Sequence, residues 1–227
     1  MPDEPEATLA DLRVLDLSDG IAGAYCARLF AGYGADVVAV EPPAGNPLRG
    51  HEGWSRLAAC KRSITLDIRT ATGRLLFLDM VEGANLIVEC FAPGAMDALG
   101  LSFAELQAIK RRIILTSIRD SDDPLAERAA SFNAFAASAI AAHNADSHEI
   151  PQHIEIVAQE CVASAVALGL HLPSSEATFD GAPFQMSAVA WTDAPAPALG
   201  EHNAEFFCGE MGLPAADLPQ LRAAGVI

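Results

Sequence analysis

Residues 12–41 read LRVLDLSDGIAGAYCARLFAGYGADVVAVE. Leu12, Val14, Leu15 and Leu17 form a short apolar strand, and residues 35–40 (ADVVAV) form a second. Near-continuous aliphatic runs suit strands that are covered on both faces, as in a parallel sheet. Between them Gly20 and Gly23 loosen a turn, Ala24 to Tyr33 supplies a helix, and Gly34 stops it. The unit is therefore a βαβ crossover, which packs back onto its sheet in the right-handed sense. Its turn lacks a full G-x-G-x-x-G, so this stretch alone does not specify a dinucleotide site. Glu41 closes the second strand, where a carboxylate can hold a ribose hydroxyl; a solvated strand end is the alternative.

The same alternation continues downstream. A Pro- and Gly-containing loop spans Glu41 to Gly50, and Ser63 to Ile68 makes a third strand. A helix follows over Thr72 to Val81 and ends near Gly83; Asn85 to Glu89 is the fourth strand. Ser102 and Glu105 form an S-x-x-E capping box for a helix running to Lys110, and Ile113 to Ser117 is the fifth strand. Strands alternating with helices specify an open, doubly wound α/β sheet. The pattern then changes. Ala129 to His143 and Ile154 to Leu172 read as two Ala-rich helices with no strand between them, an added helical layer. Pro-, Ser- and Ala-rich residues 173–199 read as a linker or crossing segment, with weak strand character at Phe184 to Trp191. Residues 200–227 form a returning C-terminal tail with a short helix around Ala215 to Ala223.

Composition narrows the function. A formal charge of −16 over 227 residues argues against nucleic acid or an anionic membrane as partner. No apolar run approaches the roughly 20 residues that span a bilayer. The first ten residues, MPDEPEATLA, are acidic and lack the apolar core of a signal peptide, so a cytoplasmic location is expected. Cys26, Cys60, Cys90, Cys161 and Cys208 are odd in number and lack C-x-x-C spacing. They read as reduced, mostly buried thiols, and no metal site is expected.

Several stretches taken in order carry a family resemblance: residues 12–50, KRSITLDI (61–68), ANLIVECFAPGAMDALGLSFAEL (84–106), PAPALGEHNAEFFCGEMGL (195–213) and LRAAGVI (221–227). With these the chain resembles the family III CoA-transferases, the carnitine dehydratase and bile-acid-inducible group that includes α-methylacyl-CoA racemase. The resemblance implies a Rossmann-like large domain, residues 1–172, that binds CoA or an acyl-CoA as ligand and needs no other cofactor. Family members are near twice this length and carry a smaller second domain, so the chain looks like the large domain alone, shortened between about Leu172 and Pro183. Their dimers interlock through that domain. An ordinary homodimer, or a heteromer with an active paralogue, is what the resemblance leaves open here.

The resemblance also points to site residues. In the transferases an aspartate attacks the acyl-CoA thioester, and in the racemase acid and base groups move the α-proton. Matching PQHIEIVAQECVASAVALGL (151–170) to the family's helix puts the aspartate position at Gln159, and a second acidic position falls at Asn133 after Phe132. Carboxamides are poor nucleophiles and have no useful pKa near neutrality. A catalytically silent pseudoenzyme is therefore expected, serving as a ligand-binding or structural subunit. The alternatives are an active transferase or racemase and a nucleotide-binding sensor unrelated to CoA. A slip in register brings in Glu160 as the fallback catalytic group, or Glu155; His143 and His153 are further candidate bases. For the ligand, Lys61 and Arg62 match a basic pair that lies near the nucleotide in the family, and Glu41 stands at the ribose position. Phe91 and Ala92 sit in the loop after the fourth strand, where Ala92 replaces the family's arginine before Pro-Gly. Ile118, Arg119 and Asp120 replace its Gly-rich segment.

Overall fold

The structure is a computed structural model that describes residues 8–119, 121–167, 182–184, 186–187 and 189–227. In chain order the elements are β1 (Arg13–Asp16), α1 (Ile21–Gly32), β2 (Asp36–Glu41), a 3-10 turn (Pro47–Gly50), α2 (Trp54–Leu57), β3 (Arg62–Thr65), α3 (Ala71–Gly83) and β4 (Leu86–Glu89). There follow α4 (Ala95–Ala98), α5 (Phe103–Ile109), β5 (Ile114–Arg119), α6 (Pro124–His148), β6 (Gln152–Val157), α7 (Ala158–Ala167), a π-helical turn (Glu205–Glu210) and α8 (Leu218–Ala223). All six strands pair in parallel in the order β3-β2-β1-β4-β5-β6. This is the doubly wound, Rossmann-like arrangement, with its reversal of strand order between β1 and β4.

Period-2 alternation divides the strands between two cores. Leu15, Val38, Ile64, Ile87 and Leu115 face α3, α5 and the tail; Val14, Val37, Leu86, Val88 and Ile114 face α1, α6 and α7. Phe206 and Phe207 of the tail are buried in the first core, and each such ring contributes roughly 1.5–3 kcal/mol relative to exposure. The tail also closes the β3 edge. The His202 amide donates to the Ser63 carbonyl (3.0 Å), and the Thr65 amide donates to Asn203 Oδ1 (2.8 Å).

The helical layer differs from expectation in two places. Residues 154–157, expected to begin the second helix, instead form β6 together with Gln152 and His153, because His-Ile-Glu-Ile alternates polar and β-branched side chains and the helical run begins only at Ala158. α6 starts at Pro124 rather than Ala129, since the Asp123 carboxylate caps the Leu125 amide (3.0 Å) and Pro124 occupies the first turn, where its missing N–H costs nothing. Within Phe184 to Trp191 the described strand pairing is one antiparallel bridge, Met186 with Val189. Asp120 and residues 168–172 of the expected second helix lie outside the described residues. Of the five free thiols only Cys26 is fully buried, and burial pushes its pKa up. Among the described residues no helix is long and apolar enough to cross a membrane.

Gly73, in the first turn of α3, has no room for a side chain. A Cβ there would lie 2.0 Å from the Asp67 carbonyl oxygen, a backbone atom that already accepts from the Thr70 amide and hydroxyl. Gly73→Ala is expected to cost about 1–3 kcal/mol through displacement of the Asp67–Thr70 turn. Urea unfolding measures it, and a loss below about 0.5 kcal/mol would mean the turn yields freely.

Candidate functional site

In doubly wound sheets ligands bind beyond the carboxyl ends of the strands at the reversal of strand order. Here that place holds a cavity of about 500 Å³. Its walls come from the carboxyl ends of the strands and the chain leaving them: β1 (Leu17, Ser18), β2 (Val40, Pro42), β3 (Leu66, Ile68) and β4 (Phe91, Ala92, Ala95, Ala98, Leu99). The lining is mainly aliphatic and aromatic, with Asp19, Asn46, Asp67 and Arg69 as its larger polar members. Ser18 Oγ is buried and unpartnered among the described residues. Burial pushes the Asp19 carboxyl up, a shift its own backbone hydrogen bond opposes. Arg69 grips Asp67 through two nitrogens (2.8 and 3.0 Å), which holds that carboxyl below the usual carboxylate range.

Of the residues named from sequence for the ligand, Phe91 and Ala92 line this cavity, while Glu41, Lys61 and Arg62 do not. Glu41 is buried and fully engaged. Arg49 approaches both of its oxygens at 2.6 Å, the Ser63 hydroxyl donates at 2.6 Å and the Asn46 amide at 3.1 Å. With its acceptor sites occupied, it pins the loop that forms one cavity wall rather than waiting for a ribose. Lys61 is buried as well, donating to Asp16 Oδ2 (2.7 Å) and to the Ala24 carbonyl (2.8 Å). Arg62 begins β3, at the end of the strand away from the cavity; it chelates Asp36 (2.9 and 2.8 Å), pairs with Glu210 and lies over the Phe206 ring. Both cations are thus neutralised within the fold. The larger polar residues of the cavity that sequence reasoning missed are Asp19, Asn46, Asp67 and Arg69; the local signal for the last two is their i, i+2 spacing.

A second cavity of about 170 Å³ lies on the other side of Ala92, at the ends of β4, β5 and β6. It collects Glu89, Ser117, Arg119, His153 and Glu155. His153 Nε2 is 3.0 Å from the Ser117 hydroxyl, and its ring stacks on Phe103. Arg119 lies 3.4 Å from Glu89 and 3.7 Å from Glu155, and donates to the Phe91 carbonyl at 2.8 Å.

The family model described as CoA-transferase family III matches residues 9–169, well over half of the chain. The chain belongs to this family. It is 37% identical over 124 residues to succinyl-CoA--D-citramalate CoA-transferase of Chloroflexus aurantiacus, a match covering 50% of this chain and 31% of that enzyme. It is 40% identical over 119 residues to subunit BbsE of the succinyl-CoA:(R)-benzylsuccinate CoA-transferase of Thauera aromatica, covering 47% and 29%. The matched stretch is thus about a third of the length of these curated relatives. Among solved structures it is similar to Rv3272 from Mycobacterium tuberculosis (TM-score 0.69, 19% identity, 73% of this chain and 57% of that one). It is also similar to a CAIB/BAIF family protein from Brucella suis (TM-score 0.63, 23% identity, 78% and 62%). At these identities the structural likeness establishes the fold.

Within this CoA-transferase family III chain, the two positions expected from the resemblance to replace carboxylates line neither cavity. Asn133 is exposed in the middle of α6, its Nδ2 donating to the Ala129 carbonyl at 2.8 Å. Gln159 is exposed in the first turn of α7, its Nε2 3.5 Å from the Ser121 hydroxyl. Glu160, next in the turn, is exposed, as is His143 on α6. Glu155 and His153 alone among the fallback groups face a cavity, the smaller one.

Proposed function

We propose that the chain is a CoA-thioester-binding member of CoA-transferase family III that lacks acyl-transfer chemistry of its own and acts as a ligand-binding or structural subunit. The observation that carries this reading is the apolar cavity at the strand-order reversal, formed in part by the β4 loop; the family resemblance aligns the nucleophile position with Gln159. A carboxamide there forms no mixed anhydride and takes up no proton near neutral pH. Relatives named as subunits, BbsE and the alpha subunit of a succinyl-CoA--L-malate CoA-transferase, support a heteromer with an active paralogue.

One observation favours a second reading. The smaller cavity sets an imidazole beside a hydroxyl, with Glu155 and Glu89 in the same walls, and such a set can move a proton next to a thioester. Titration calorimetry and a turnover assay separate the two. The purified protein is expected to give heat with CoA and succinyl-CoA, none with NAD, and no CoA transfer or α-epimerisation. Turnover abolished by His153→Ala or Glu155→Gln would establish the second reading instead. Heat with NAD alone would mark a nucleotide sensor.

A further inference from the structure

The two edges of the sheet are finished differently. The tail seals β3, whereas among the described residues nothing bonds to the outer edge of β6. A bare strand edge is a template for another strand. β6 contains neither proline nor lysine, and its one charged residue is Glu155. The Gln152 amide donates to the Ile113 carbonyl (3.3 Å). By the two-residue period, the backbone groups of Gln152, Ile154 and Ile156 therefore serve β5, and those of His153, Glu155 and Val157 point outward.

We propose that this edge is an interface between two copies of the chain, β6 pairing antiparallel with β6 of the second copy about a two-fold axis at Ile154. A two-fold axis through paired strands sets one residue against its own copy, which leaves three central registers. Centring on Glu155 puts two carboxylates directly opposite, and like charges there repel. Centring on His153 sets two imidazoles opposite each other and pairs Glu155 with Pro151, which has no N–H to donate, whereas centring on Ile154 moves Pro151 out to face Val157 at the strand ends. Centring on Ile154 sets His153 against Glu155 of the second copy, twice, at hydrogen-bonded positions, with Ile154 meeting itself at the closer non-hydrogen-bonded position. The pairing of an imidazole with a carboxylate, in place of two carboxylates or two imidazoles, thus selects one register. Ser117 and Arg119 on β5 already hold His153 and Glu155 from behind. Exposed Ile140, Ile150 and Val166 stand on α6, ahead of β6 and on α7, so apolar surface is present on the elements next to the strand.

The experiment uses the full chain and does not depend on what either cavity binds. Size-exclusion chromatography with light scattering at tens of micromolar is expected to give twice the 23.8 kDa chain mass. Glu155→Pro removes one outward donor and leaves the inward ladder to β5 intact, so it is expected to give a monomer with unchanged far-UV circular dichroism. Ile154→Cys is expected to cross-link to itself on mild oxidation, because facing non-hydrogen-bonded residues bring their Cα atoms to about 4.5 Å, within disulfide reach. Peptide mapping identifies the 154–154 bridge even if the proline variant fails to fold. A monomeric wild-type protein, a dimer that survives Glu155→Pro, a dimer without the 154–154 bridge, or assembly only with a different family member would each overturn the proposal.

Discussion

Replacing Lys61 with methionine is expected to lower the unfolding free energy by about 3–5 kcal/mol. The ammonium and the Asp16 carboxylate are both buried, their side chains 2% and 5% exposed, at 2.7 Å from each other. Removing the cation strands a carboxylate where water cannot reach it, and also releases the Ala24 carbonyl in α1. The cost arises from the abandoned charge rather than from the pair as such, because desolvation offsets much of a buried pair's attraction. Asp16→Asn combined with Lys61→Met should therefore recover most of the loss, since asparagine can still accept from the Ser18 amide (3.0 Å). Urea unfolding of the wild type, both single variants and the double variant closes the cycle. A single-variant loss below about 1 kcal/mol, or a double variant as unstable as Lys61→Met, would contradict it.

That pair also marks where sequence reading stops. The first five strands are legible because each is a short aliphatic run between turn residues, and the Ser102–Glu105 capping box forms as its spacing dictates, with both reciprocal bonds present. β6 is not legible by the same means. It is one short strand with polar side chains at alternate positions, lying between Ala-rich stretches whose helical signal swamps it. Side-chain partners are harder still, because they are set by contacts between distant positions. Lys61 meets Asp16 across 45 residues, and Arg62 meets Glu210 across 148. An adjacent lysine and arginine invite a phosphate when read along the chain; only the packed sheet reveals that each already has its carboxylate. Glu41 repeats the lesson, its acceptor sites taken by Arg49, Ser63 and Asn46.

Ala95→Trp is expected to abolish CoA binding at concentrations that saturate the wild type, a loss of at least about tenfold in affinity, or roughly 1.4 kcal/mol. Ala95 opens α4 and lines the 500 Å³ cavity together with Ala98 and Leu99 of the same turn. An indole on that wall fills space that the proposed ligand needs. Stability should change little, because Ala95 is only half-buried and the added ring enters a void instead of a packed core. Calorimetry against CoA, with a thermal melt as control, reads the two effects apart. Asn133→Ala is the matched control: its side chain is exposed, bonds within its own helix and lines neither cavity, so CoA affinity should remain as in the wild type. Unchanged affinity in Ala95→Trp would move the ligand out of this cavity. Weakened binding in Asn133→Ala would instead put α6 within the ligand's reach and return its family position to the site.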